Sequence, residues 1–269
     1  MRISSLILSL GALFAAGPAF THELWLEPLE YQVATGGQLR AKVVNGEGFN
    51  GNALPYLPRR QRHFVLSTAE RNVQVPGRAG DLPALNMVAQ DDGLHVVAYQ
   101  SMPQTLKYES WEKFQRFVSH KDFGDVRTRH DARGLPPEEF KEVYIRYSKT
   151  LIGVGSGAGA DQRMGLETEL VALTNPYTDD LSGGMRVQLF YGSEVRADEQ
   201  IEVFAKSPGN EVAVTLVRTD ANGIATIPVQ SGVAYQLDAV VLREPSAALA
   251  EQTGAVWETL WANLTFRAP

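Results

Sequence analysis

Past residue 22 the chain is built from short runs in which apolar and polar side chains take turns. Leu39, Ala41 and Val43 alternate with Arg40 and Lys42 before a punctuating stretch from Asn45 to Gly51. That period of two lays one face of a strand on a core and turns the other away from it. His63 to Thr68 is a second β-type run, ended by polar residues. Asp91-Asp92-Gly93 then makes a turn into the clearest strand of the first half, with Leu94, Val96 and Ala98 on one face and His95, Val97 and Tyr99 on the other.

The period changes at Tyr108. Trp111, Phe114, Phe117 and Val118 recur at helical spacing up to His120. After the charged stretch Arg127–Arg133, Pro136 and Pro137 stand where a helix starts, with Glu138 and Glu139 in the first turn. Phe140, Val143, Tyr144 and Tyr147 continue as one apolar stripe. Gly153-Val154-Gly155-Ser156-Gly157-Ala158-Gly159-Ala160 reads as a flexible linker. Beyond it the signals are almost purely β, with candidate strands at 167–173, 185–191, 200–205, 213–219, 224–228, 235–242 and 260–266 separated by turn clusters. Short strands at this spacing suggest an immunoglobulin-like sandwich. The pattern predicts a mainly β protein of two β-sandwich domains. The N-terminal domain spans 22–152 with a helical segment over 108–150, a Gly-rich linker covers 153–165, and the immunoglobulin-like domain covers 166–269.

The residues before His22 follow another rule. Arg2, an apolar run from Ile3 to Ala16 and small residues at Gly17 and Ala19 read as an export signal over residues 1–21. Cleavage after Ala19 starts the mature chain at Phe20-Thr21-His22, and cleavage after Thr21 starts it at His22. The expected location is the periplasm, with no membrane span left after processing. Charge and composition narrow the function. Aspartate and glutamate number 31 against 25 lysines and arginines, which argues against a nucleic-acid partner. The chain has no cysteine, so disulfides, thiol nucleophiles and thiolate metal sites are excluded.

Both cuts give His22 metal-binding chemistry. Placed first, its α-amine and imidazole chelate one ion, and a second histidine would complete a brace of nitrogens. Placed third, the amine, two amide nitrogens and the imidazole form a square-planar set that suits Cu(II) or Ni(II). The competing reading is that His22 simply opens the first strand. His95 is the best second ligand candidate if its strand lies beside the N-terminal one; otherwise it is a half-buried, hydrogen-bonded histidine. His63 sits among arginines, His120 near the end of a helix, and His130 in a charged loop. Enzyme signatures are absent: His22-Glu23 has no second histidine to make H-E-x-x-H, and Ser156 lacks the G-x-S-x-G context.

These residues also carry a likeness. His22-Glu23-Leu24-Trp25-Leu26-Glu27-Pro28 is a His-x-x-Trp-Leu-x-Pro signature. With Asp92-Gly93-Leu94-His95, Arg146-Tyr147-Ser148-Lys149-Thr150-Leu151, Gly165–Val171, Asn175-Pro176-Tyr177 and Thr219–Gly223, it resembles an uncharacterised periplasmic domain family. That family is described as the periplasmic component of an ABC-type cobalt or nickel transport system. Thr21 stands where the family usually has alanine. The resemblance implies a non-catalytic accessory of cobalt or nickel uptake with a membrane transporter component as partner; joined to the nitrogen ligands of the mature N-terminus, it leads to the expectation that Ni, Co or Cu is bound there. Two alternatives stay open: a protein- or carbohydrate-interaction module without metal, and a copper oxygenase built on an N-terminal histidine brace.

Overall fold

The computed structural model describes residues 22–269; the expected export signal, 1–21, lies outside the described residues. The first half contains strands β1 (Glu23–Pro28), β2 (Gln32–Val33), β3 (Gln38–Glu47), β4 (Asn50–Leu54), β5 (Gln61–Ser67), β6 (Asn72–Gln74), β7 (Leu85–Val88), β8 (Gly93–Ser101) and β9 (Gln104–Tyr108). Helices α1 (Trp111–His120) and α2 (Val126–Ala132) lead to the long β10 (Phe140–Val154). The second half adds β11 (Thr168–Ala172), β12 (Met185–Tyr191), β13 (Glu194–Val195), β14 (Gln200–Lys206), β15 (Val212–Arg218), β16 (Ile224–Ile227) and β17 (Ala234–Arg243). Helix α3 (Ala247–Thr253) and β18 (Ala255–Arg267) complete the order.

The strands stack in three layers. The middle sheet runs β15-β14-β17-β18-β10-β8-β5-β6, with β2 and β9 also paired to β10. Its neighbours are antiparallel except along β10, which is parallel to β18 and to β2. Alternate side chains of the middle strands therefore enter different cores. Val97, Tyr99 and Ile152 pack with Leu24, Leu26, Leu39 and Ala41 of the layer formed by β1, β3, β4 and β7. Leu94, Val96 and Leu151 pack the other way, with Leu170, Val187 and Leu189 of the layer formed by β11, β12, β13 and β16. The sandwiches expected on either side of 153–165 thus share one sheet. No described helix is long and apolar enough to cross a membrane.

Two expectations are corrected. The helix read over 136–150 is absent, because Phe140–Val154 is a strand buried along nearly its whole length. A strand covered on both faces needs apolar residues at every position rather than at alternate ones, so its aromatics also fit a helical spacing. Phe140 and Tyr144 face α1 and Trp257, whereas Val143, Ile145 and Tyr147 point to the opposite side. The helix in the charged stretch is instead α2, capped by the Asp125 carboxylate, which accepts from Thr128 N–H at 3.0 Å.

The glycine-rich segment is not a free linker. Its first two residues end β10, and Asn175 Nδ2 donates to the carbonyls of Gly157 and Gly159 at 2.8 and 2.9 Å. Asp92 accepts from Ser156 N–H at 3.0 Å and from its hydroxyl. Gly155 has φ +56°, and a Cβ there would collide with Asp92 Oδ2, so the short side chains serve close approach rather than flexibility.

Candidate functional site

Strand β1 lies over the middle of the central sheet and is tied to it from below. The Arg146 guanidinium donates to the His22 carbonyl, Ser148 Oγ to the Leu24 carbonyl at 2.6 Å and Thr265 Oγ1 to the Leu26 carbonyl at 2.6 Å. Trp25 is fully buried against Phe49 and Phe204. His22 is exposed, and its ring makes no hydrogen bond with any described residue. A stiff strand thus presents an open imidazole at one end.

Below that end runs a row of polar side chains inside otherwise apolar strands. Glu202 sits opposite Asp238, Asp238 opposite Asn263, and Asn263 opposite Ser148 across β14, β17, β18 and β10. Gln236 and Arg146 flank the row, and all six are buried. Lys121, just past the end of α1, supplies the cation: its ammonium bonds Glu202 and reaches Asp238 at 2.9 Å. Burial works against that ammonium, but Asp238 and Glu202 outweigh it and hold its pKa above the ordinary value. His120 Nε2 lies 2.6 Å from Glu202. Several polar atoms of the row have no hydrogen-bond partner among the described residues: Asp238 Oδ1, Arg146 Nε, and both amide atoms of Gln236 and of Asn263. Buried polar atoms without partners are uncommon and expensive.

Glu23 closes the row from above. It is 4% exposed, and its carboxylate accepts from Gly48 N–H at 3.1 Å. Burial, with Asp238 adding to it, pushes its carboxyl up to about 7. Beside it opens a cavity of about 190 Å³, with Glu23, Glu47, His120, Lys121 and Glu202 on its polar side and Phe117, Phe204 and Val214 on its apolar side.

The expected ligand pair is not brought together. His95 lies opposite Ile152 on β8, whereas His22 is tied to Arg146, six residues back along β10. At about 3.3 Å per strand residue this separates the two by roughly 20 Å. The His95 ring is buried, its Nδ1 3.3 Å from the Gly93 carbonyl, and burial lowers its pKa. Among the described residues no three His, Asp or Glu side chains converge as metal ligands. The other histidines separate too. His63 is exposed at a strand start. His130, expected in a solvated loop, is buried: Trp257 Nε1 donates to its Nδ1 at 3.1 Å, which leaves Nε2 to donate to the Pro136 carbonyl at 2.9 Å. Sequence reasoning missed Glu23, Lys121, Glu202 and Asp238. The available signal was polar residues at every second place of apolar strands, as in Gln236-Leu237-Asp238 and Asn263-Leu264-Thr265.

Residues 19–242 match the family model of the domain of unknown function DUF4198. No curated protein matches the chain. Among solved structures, a tetra-tandem repeat in the extending region of a large adhesion protein aligns at 10% identity, over 92% of this chain and 50% of that one, with a TM-score of 0.21. The chain thus spans about half the length of that structure, and a likeness so low carries no argument.

Proposed function

The chain belongs to the DUF4198 family, and from that premise we propose a non-catalytic periplasmic binding protein of the metal-uptake accessory type, which captures Ni(II), Co(II) or Cu(II) at its mature N-terminus. The observation that carries this reading is the exposed His22 ring at the head of a strand whose His22, Leu24 and Leu26 carbonyls are all held by the central sheet. A ligand on a rigid element loses less entropy on binding than one on a loop. His22 supplies its imidazole, and the chain supplies the α-amine either on His22 itself or two residues ahead. In the second case the intervening amides complete an all-nitrogen tetragonal set, which favours Cu(II) and Ni(II). Delivery to a membrane transporter component is the role this chemistry serves.

A protein-interaction module is the second reading. It is supported by β15, an outer strand of the central sheet with Val214 52% and Leu216 59% exposed. Intact-mass measurement of the exported protein fixes the first residue, and calorimetric titration with each ion follows. Binding by the processed protein that His22→Ala loses supports the metal reading. Equal or absent binding in the two proteins overturns it in favour of the second.

A further inference from the structure

The cavity beside β1 is walled on one side by a buried carboxylate that has no ion-pair partner among the described residues. Glu23 lines it while 4% exposed. Its carboxylate accepts from amide N–H groups, Gly48 at 3.1 Å among them, and forms no ion pair with any described residue. Lys121 lines the same cavity and attracts Glu23 from a distance, but its ammonium is bonded to Glu202 and Asp238. Behind them Asp238 Oδ1 has no hydrogen-bond partner among the described residues. A buried carboxylate without a cation is costly to keep, and a ligand able to supply that cation would relieve the cost.

The other walls restrict what the ligand can be. Phe117, Phe204 and Val214 give the cavity an apolar side, so the occupant has an apolar body. Its volume of about 190 Å³ admits a short organic molecule; at about 30 Å³ per liquid water it equals roughly six waters. The polar side sets three carboxylates, Glu23, Glu47 and Glu202, against Lys121 and His120, which both already contact Glu202, and this balance disfavours an anion. For a bare metal ion, no three His, Asp or Glu side chains converge among the described residues. What remains is a compact cation with a greasy end, for which an aromatic wall adds cation–π attraction.

We propose that this cavity binds a small primary ammonium compound, with the ammonium against Glu23 and the apolar body between Phe117 and Phe204. The site is separate from the His22 ring, which does not line the cavity, so it stands whether or not the chain takes a metal.

Calorimetric titration at pH 8 with benzylammonium, benzyl alcohol and benzoate tests it on the processed protein. Benzylammonium is expected to bind at least tenfold more tightly than the alcohol, and benzoate not at all. Glu23→Gln, which keeps an acceptor for Gly48 N–H, brings ammonium and alcohol to within about twofold. Val214→Trp, a change at a half-exposed wall residue, weakens both by narrowing the cavity. His22→Ala leaves the ammonium affinity unchanged while removing the metal site. The proposal is overturned if no probe binds, if alcohol binds as well as ammonium, or if Glu23→Gln keeps the preference. Should Glu23→Gln fail to fold, undiminished ammonium binding to Val214→Trp overturns it.

Discussion

Replacing Glu23 by Gln should stabilise this protein above neutral pH and leave it unchanged in acid. The substitution keeps the shape and the acceptor for Gly48 N–H, but removes the charge. In the folded chain the carboxyl rises from the ordinary 4.5 to about 7, first through burial and then through Asp238. At about 1.4 kcal/mol per pH unit this amounts to about 3 kcal/mol. Below pH 4.5 Glu23 is protonated whether folded or unfolded, so it costs nothing. As pH rises from 4.5 to 7 the unfolded chain ionises while the folded chain holds its proton, and stability is lost over that window. Above 7 both are charged and the full penalty remains. Urea unfolding at pH 4 to 9, followed by fluorescence of the four tryptophans, measures the difference between the two proteins. Groups remote from Glu23 titrate in both and cancel. The variant is expected to match wild type at pH 4 and exceed it by about 3 kcal/mol at pH 8. A difference that stays flat across this range, or that favours wild type at pH 8, would falsify the claim that burial outweighs the cations near Glu23.

Lys149 bridges Asp161 at 2.8 Å and Glu169 at 3.0 Å with all three side chains buried. Lys149→Met leaves Asp161 without an ion pair and Glu169 with Arg163 alone at 3.3 Å, and is expected to cost about 3–5 kcal/mol in urea unfolding at pH 7; a cost under about 1 kcal/mol would show that water reaches the cluster. His95→Ala is expected to leave Ni(II) and Cu(II) affinity within about twofold of wild type, because roughly 20 Å separates it from His22. A tenfold loss in calorimetry would show that the chain's beginning reaches His95.

The second-half strands were legible because their apolar residues alternate, and alternation survives any arrangement of the layers. Phe140–Val154 was misread for the opposite reason. Its apolar and polar positions serve two cores at once, so no period of two marks it, and Pro136-Pro137 imitates a helix start. The site divides similarly. His22 stood out by its place beside a signal-like run. The ionic row did not, because its members meet only after the layers dock: Lys121 and Asp238 are 117 residues apart. His130 looked solvated among charged neighbours, yet it is packed between Trp111, Phe140 and Trp257. The glycine-rich segment misled through composition, since the same residues that loosen a free chain also admit Asp92 and Tyr177 at close range.

The parallel pairing of β10 with β18, Lys141–Thr150 against Ala255–Thr265, also sets a timetable. β18 is the final described strand in chain order, yet it fills the centre of the largest sheet, between β17 and β10. In a polypeptide delivered from its front, β10 must wait with one flank bare until the stretch past Ala255 arrives. An open flank of that length is a template for pairing with a neighbouring molecule, and closing a loop of more than a hundred residues is slow. Assembly is therefore safest when the whole polypeptide is released together, and the front half alone is the form most prone to self-association.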